Sequence, residues 1–585
     1  MSGTPNLNIG NQTSSGIANL NIGGTFTSTS SNPVRMDYFG TNTLNITGAI
    51  GAGNTATFTP NNAGLTNIAN VTINSSTSSS VGTLAFTSGF QTMKNFTLTA
   101  GTLTLGSNMT VHSSGTFTMT GGILILNGYT LTINGIINNG LATYSGTNTS
   151  NLSIGGSGTI TGNFNFTSGA QNLSALTMNR TGTTATIGTD LTLNSASTIT
   201  AGTVANSSGT TLTLGSSLAN SGTMNINGTL QMNTGSSVTG TSLTYGSSST
   251  LLYNSTGTFT VGNEWTGNAT TAGLGIPQNV TIQNTGTVSM PSTDRGLAGN
   301  LTISAGTLAL NATSGNLYVA GNWTNNSAFT HNNRTVFFNG SAAQSINGTT
   351  AGSFYNLTDN NTTADVTMNQ DVSVSNILSL NTSSVFAING NTLTLGGTIS
   401  GAGSLRGSSS SDLVMSGTGQ VGTLRFASGG QTLNLISINR TGISNNYAAL
   451  LASDLTVNAL TLTNGIIATG NNLFTWTKTG SLLPVAQTTY TPNNTSYKNS
   501  YVCICDGTGT GLTITEPYDG TKGFRISNVG IDVWFPIGVD FNAPNRMWVD
   551  NSGPSPLGTS DNLTVAIKKG TWGGAYPKVD RIWYV

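Results

Sequence analysis

Between Asn95 and Asn139 the chain reads NFTLTAGTLTLGSNMTVHSSGTFTMTGGILILNGYTLTINGIINN, a series of short apolar and threonine alternations, each closed by Gly, Asn or Ser. Leu98, Leu103, Leu105, Met109, Val111, Phe117, Met119, Leu124, Leu126, Leu131 and Ile133 fall on every second residue within runs of three to five. That is the period of a strand with one buried face, and no stretch carries the period of a helix. Hairpin arms are usually longer than these strands, whereas the edges of a stacked coil can be this short. The pattern predicts a parallel β-solenoid in which each edge sends one apolar row inward.

Composition narrows the alternatives. Only 6% of the 585 residues are charged, while Gly alone numbers 77. An ordinary soluble domain carries roughly 25% charge. Stacked coils explain the deficit, because a residue lies about 4.8 Å above its counterpart, where like charges repel and Asn, Thr and Ser can bond along the stack. The 36% of hydrophobic residues, regularly placed, suffices for a core and excludes a disordered chain. With 17 basic and 17 acidic residues the net charge is zero, so no basic field favours nucleic acid or an anionic membrane surface. No apolar run reaches the 18 or more residues of a membrane span, so no membrane insertion is expected.

A longer unit recurs on this background. TLAFTSGFQTM at 83–93 returns as NFNFTSGAQNL at 163–173 and TLRFASGGQTL at 423–433, with Phe86, Phe166 and Phe426 in one register. Ser88, Gly89 and Gln91 correspond to Ser168, Gly169 and Gln171, and to Ser428, Gly429 and Gln431. Asn-Arg-Thr-Gly follows the second and third copies, at 179–182 and 439–442. A variant at 336–346, VFFNGSAAQSI, has one more residue between Phe338 and Gln344. The expected roles are structural, a Phe that plugs the core, a Ser-Gly corner, and a Gln bonded to a neighbouring coil or to its own stacked copies, with ligand binding as the alternative.

The composition changes near Leu483. Eight of the 17 acidic residues and eight of the 13 prolines lie beyond it, and proline does not suit the middle of a stacked ladder. The expected organisation is a solenoid over 1–482 and a β-rich, sandwich-like or capping module over 483–585. Trp534, Phe535, Trp548, Trp572 and Trp583 would form the core of that module, and the module would cover the open edge of the last coil. The fold class is thus all-β, an elongated parallel β-helix followed by a small β-rich module. Right-handedness is expected from the general chirality of parallel crossovers.

Several phrases make a resemblance specific. LTISAGTLAL, VAGNWTNNSAFT and TVFFNGSAAQSINGTTAGSFYNLT between Leu301 and Thr358 resemble the repetitive body of large surface and secreted proteins of Bacteroidetes and related phyla, exported by the type IX secretion system. SYVCICDGTGTGLTI, VWFPIG, DNLTVAIKKG and VDRIWYV in the last 86 residues are similar to the segment those proteins place after their repeats. The resemblance implies an extracellular, cell-surface protein and the type IX machinery as a partner. It also implies a chain that continues past Val585 to a sorting domain. MSGTPNLNIG lacks the basic and apolar regions of a signal peptide, so the expected start is a cloned or processed one.

The sequence offers little chemistry. His112 and His331 are the only histidines, and neither has Cys or acidic neighbours at metal-ligand spacing. Cys503 and Cys505 fall on the same face of one strand and are expected as buried or loosely paired thiols, because a bridge at that spacing would be strained. Calcium-binding nonapeptides and Asp-x-Asp-x-Asp loops are absent. Of the nine acids before Tyr501, Asp37, Asp190, Glu264, Asp294, Asp359, Asp365, Asp371, Asp412 and Asp454, no two are i, i+2 neighbours. Polysaccharide lyases and hydrolases on a β-helix need clustered carboxylates. No catalytic, cofactor-binding or metal residue is therefore assigned, and no cofactor is expected.

The function expected is a non-catalytic stalk, filament segment or adhesin that meets glycans, other surfaces or copies of itself. Two rival classes remain, a polysaccharide-active β-helix enzyme and an ice-binding solenoid. The second rests on Thr-x-Thr pairs at 97–99, 102–104, 116–118, 130–132, 392–394 and 461–463. Threonine is also simply a β-branched residue suited to the outer face of a strand.

Overall fold

The computed structural model describes residues 92–443, 446–477, 500–506 and 521–527, together with the backbone of short strands between 8 and 86 and between 533 and 584. All regular structure among the described residues is β-strand, and no helix occurs. The chain divides into two compact units, residues 1–267 with 271–289, and residues 268–270 with 290–585.

Among the described residues of the first unit, a coil turns through three strand segments, two of which run together as one longer strand in Thr92–Ala100, Ala175–Ile187 and Ser197–Asn206. One coil runs through Met109–Val111, Thr116–Met119 and Ile123–Ile125. The next coil repeats it in parallel: Met109 lies against Leu131, Phe117 against Ile137, and Leu124 against Tyr144. One coil further, Leu131 lies against Leu152, Ile137 against Ile160, and Tyr144 against Phe166. The advance is therefore 20 to 23 residues per coil along these rows. The alternation fixes this register, since a one-residue slip would turn a whole apolar row outward.

All eleven apolar residues named between Leu98 and Ile133 are at most 1% exposed. Aromatic rings continue the rows: Phe96 stacks on Phe117 at 5.2 Å, and Tyr144 lies 5.6 Å from both Phe164 and Phe166. A buried ring contributes its area and a further roughly 0.5–1.5 kcal/mol from ring geometry. Like residues stacked coil on coil thus build the core.

The second unit uses the same construction. Leu317 lies against Val336, Trp323 against Ile346, and Leu308 against Phe329, all in parallel. Parallel pairing continues beyond Trp476, where Leu473–Trp476 pairs with Gly523–Ser527, and Ile467–Ala468 pairs with Val502–Cys503. After that the pairing changes sense. Asn562–Lys569 adds antiparallel to Gly523–Ser527, and Val579–Tyr584 adds antiparallel to Asn562–Lys569. Val533–Phe535 and Met547–Val549 form another antiparallel pair, with Trp534 opposite Trp548. Trp572 and the side chains of Trp534, Phe535, Trp548 and Trp583 lie outside the described residues.

The recurrent unit takes the expected conformation at its Phe and its Ser-Gly corner, whereas of its described glutamines only that of the variant copy bonds to a neighbouring coil; the Gln171 and Gln431 amides make no such bond among the described residues. Phe166 and Phe426 are 2% and 5% exposed, and each corner closes with a short turn, Ala170 N–H donating to Thr167 and Gly430 N–H to Ala427. Gly169 and Gly429 have φ of 80° and 76°, a left-handed conformation that favours glycine. Gln344, in the variant unit, is buried and donates to Val319 O at 3.0 Å and Gly321 O at 2.7 Å in the preceding coil. The Phe86 side chain and Ser88, Gly89 and Gln91 lie outside the described residues.

Candidate functional site

Polar side chains are where chemistry would have to reside, and most of them are occupied by stacking. At corners, an Asn or Asp carbonyl oxygen accepts the backbone N–H of the coil that follows. Asn95 takes Thr116 N–H at 2.8 Å, Asn108 takes Thr130 N–H at 2.9 Å, and Asn322 takes Ser345 N–H at 2.9 Å. Asp190, Asp371 and Asp454 do the same for Thr211, Thr392 and Leu473 at 2.7, 2.8 and 2.8 Å. Asp294 takes Asn316 N–H at 2.8 Å and the Tyr318 hydroxyl at 3.3 Å. Asparagines also bond one another between coils: Asn389 donates to Asn369 at 3.0 Å, and Asn369 to Asn347 at 2.8 Å.

The remaining body acids are also engaged. Asp412 accepts Asn434 Nδ2 at 2.8 Å, and Asp365 pairs with Arg406 at 3.3 Å. Glu264, fully buried, accepts Gly262 N–H at 2.9 Å and the Tyr253 hydroxyl at 3.2 Å. Asp359, also fully buried, accepts Asn361 N–H at 3.0 Å through Oδ1 and lies beside the Ser384 hydroxyl. Burial raises this carboxyl to about 7; the Asn361 bond opposes the rise and the Asp365 carboxylate adds to it. Asp37 lies outside the described residues.

Two buried arginines were not legible as such in the sequence. Arg180 and Arg440, from the repeated Asn-Arg-Thr-Gly, are 1% and 2% exposed. Arg180 donates to Gly155 O at 2.8 Å and to Ile133 O at 2.9 Å, two coils back. Arg440 donates to Gly419 O and Gly396 O, both at 2.9 Å, to Thr418 O at 2.6 Å and Gln420 O at 3.3 Å, and to Ser416 O. Neither pairs with a carboxylate among the described residues, and burial lowers the pKa of both guanidinium groups. Their partners are carbonyl oxygens, so they tie coils together.

His112 sits at a turn, its Nδ1 within 2.9 Å of Ser114 Oγ. His331 lies half-buried in a turn with Asn332 and Asn333, which have φ of 46° and 60°. It faces an open cavity of about 390 Å³ beside Phe329 and Ser353, and burial lowers its pKa. No carboxylate lines that cavity, so an acid and base pair is not assembled there. Among the described residues no three His, Cys, Asp or Glu side chains come together to hold a metal. No described helix is long and apolar enough to cross a membrane.

The cysteines correct the sequence reading. Cys503 and Cys505 form a disulfide with Cα atoms 5.3 Å apart, and both are fully buried. They pack with Ile466, Ala468 and Tyr501. The alternation of a strand puts both side chains on one face, which brings the sulfurs together.

The Thr-x-Thr pairs do not line one face. Thr97 lies against Thr118 rather than Thr116, and Thr102 and Thr104 sit on another sheet against Ile123 and Ile125. A second cavity, a shallow polar groove of about 380 Å³, lies beside the Ser168-Gly169 corner, with Gln171, Asn172, Asp190, Thr192, Thr213 and Gln231 on its walls. Comparison with known proteins finds no matching family model, no matching curated protein and no matching solved structure.

Proposed function

We propose that the chain is a non-catalytic structural and adhesive protein of the bacterial cell surface, a stalk or filament segment that binds or bridges surfaces. The observation that carries this reading is the use made of the acids. All eight described carboxylates of the body, buried or exposed, accept hydrogen bonds or pair with an arginine of the coils. Four of them stand in as ladder acceptors for the coil above. Groups held this way serve coil registry, whereas hydrolysis or elimination requires perturbed groups converging on one cleft.

Two further features support the setting. The outer face offers hydroxyls and amides at coil spacing and little charge, which suits many small hydrogen bonds to glycans or to neighbouring chains. A buried disulfide fits an oxidising compartment outside the cytoplasm. Export by the type IX machinery rests on the resemblance of the repeats and of the segment after them. Beads coated with bacterial envelope material, mixed with the purified chain, should aggregate in proportion to chain added. Beads that stay dispersed at every concentration would sink the adhesive reading.

A further inference from the structure

Residues 163–194 and 423–458 are two versions of one structural passage, one in each unit. Nine of the first twenty aligned positions are identical, from Phe166 and Phe426 to Gly182 and Gly442, and Asp-Leu-Thr recurs at 190–192 and 454–456. The correspondence extends upstream, where Ser150 accepts Gly128 N–H and Ser411 accepts Gly390 N–H, each at 2.9 Å. Most retained residues have visible structural work. The phenylalanines fill the core, the arginines hold carbonyls, and Gly182 and Gly442 take φ of 72° and 70°. Ser168 and Ser428 are exposed at turns, and Asn179, Thr181, Asn439 and Thr441 are exposed on strands.

Gln171 and Gln431 differ. Both are half-buried, and both use their backbone carbonyls in the ladder, accepting Thr192 N–H and Thr456 N–H at 2.9 Å. Among the described residues neither side-chain amide bonds to anything in the chain. A half-buried amide kept in register twice, without a partner, is unexplained by stacking. Gln171 stands on the wall of the polar groove, and its neighbours supply a ladder: Asn172, Thr192, Thr213 and Gln231 lie one above another on successive coils. The exposed Asp190 carboxylate stands beside them, and no cation lines the groove. In the second unit Thr432, Thr456 and Thr475 stack in the same register beside Gln431 and Asp454.

We propose that these two passages are paired carbohydrate-binding sites, each taking a neutral, hydroxyl-rich polysaccharide strand, with Gln171 and Asp190 in one and Gln431 and Asp454 in the other as the recognising groups. Amide, hydroxyl and carboxylate groups at about 4.8 Å spacing match the alternating donors and acceptors of sugar hydroxyls. A single carboxylate without a cation disfavours anionic polymers and nucleic acid. No aromatic side chain is among the groove residues, so each site is a weak binder and duplication supplies avidity. This assignment rests on the surface-binding reading and names its ligand class.

The test uses the full chain and isothermal titration with neutral oligosaccharides cut from β-glucan, mannan and galactan, with alginate and polygalacturonate fragments as anionic probes. The variants are Gln171→Ala with Asp190→Asn, Gln431→Ala with Asp454→Asn, and all four together. Asparagine keeps the oxygen that accepts Thr211 or Leu473 N–H, so the coils and the melting temperature should be preserved. The expected result is two sites for one neutral class, one site in either paired variant and none in the fourfold variant. Retention on the corresponding insoluble polymer should fall about 100-fold when one site is removed. Unchanged binding by a folded fourfold variant would overturn the sites while leaving the surface-binding reading standing. Preference for the anionic probes would overturn the ligand class. Absence of binding to every glycan, with bead bridging intact, would overturn the carbohydrate assignment alone; loss of bridging as well would remove both readings.

Discussion

Replacement of Arg440 by methionine tests how the coils are held together. The side chain is 2% exposed and donates to five carbonyl oxygens spread over residues 396 to 420. A hydrogen bond from a charged donor contributes about 1.5–3 kcal/mol net, and a buried acceptor left without its donor costs about 1–3 kcal/mol. The five bonds are not additive, and losses above about 4–5 kcal/mol are exceptional for one substitution. Methionine restores most of the apolar volume, so the expected loss is about 4 kcal/mol. Arg180→Met breaks bonds to only two carbonyls, and Nη1 has no partner, so about 2–3 kcal/mol is expected there. Hydrogen exchange read by mass spectrometry should show protection lost between about 396 and 441 in the Arg440 variant, with distant coils unaffected, because each coil touches only its neighbours. A neutral effect would refute the clamp, as would exchange that rises equally along the whole chain.

Other perturbations follow from the same contacts. Phe166→Ala, which removes a ring 5.6 Å from Tyr144, should cost about 3–5 kcal/mol, detected as local exchange near residues 144–187. Burial raises Asp359 from 3.8 to about 7, so between those values the folded chain keeps a proton that the unfolded chain has released. Its contribution is therefore full below about pH 4, falls as pH rises to about 7 and is flat beyond, up to about 4 kcal/mol in all; in pH-dependent melts Asp359→Asn should remove that slope. The Cys503–Cys505 bridge closes a very short loop, so changing both to serine should lower stability by only about 1–2 kcal/mol in denaturant melts. Mass spectrometry of the unreduced chain should find neither cysteine alkylated.

What the sequence made legible was the repeating backbone. The alternation of Leu103, Leu105, Met109 and Val111 identified both the strand and its buried face, because period two is a local property. The Ser168-Gly169 corner was readable for the same reason, glycine being the residue that takes positive φ. Long-range partners were not readable. Arg180 reaches Ile133 across 47 residues, and Gln344 reaches Val319 across 25. Those pairings depend on the summed length of every excursion between strands. The acids looked scattered for the same reason: Asp190 and Asp454 acquire their shared role only when the coil above places an N–H over each. The bridge between Cys503 and Cys505 is not legible in the sequence, because the alternation shows only that the two share a face, and the approach of the sulfurs depends on local backbone geometry. The retained Gln171 and Gln431 are visible as a repeat, but the lack of a partner among the described residues for their half-buried amides shows only in the folded coils.

Binding without turnover is the central claim, and it is tested most directly by incubating the purified chain with insoluble β-glucan, mannan, pectin and alginate while following retained protein and released product together. The expected result is saturable retention on at least one neutral polymer, with reducing ends and unsaturated products at background over days. Product release abolished by changing a single body aspartate to asparagine would contradict it.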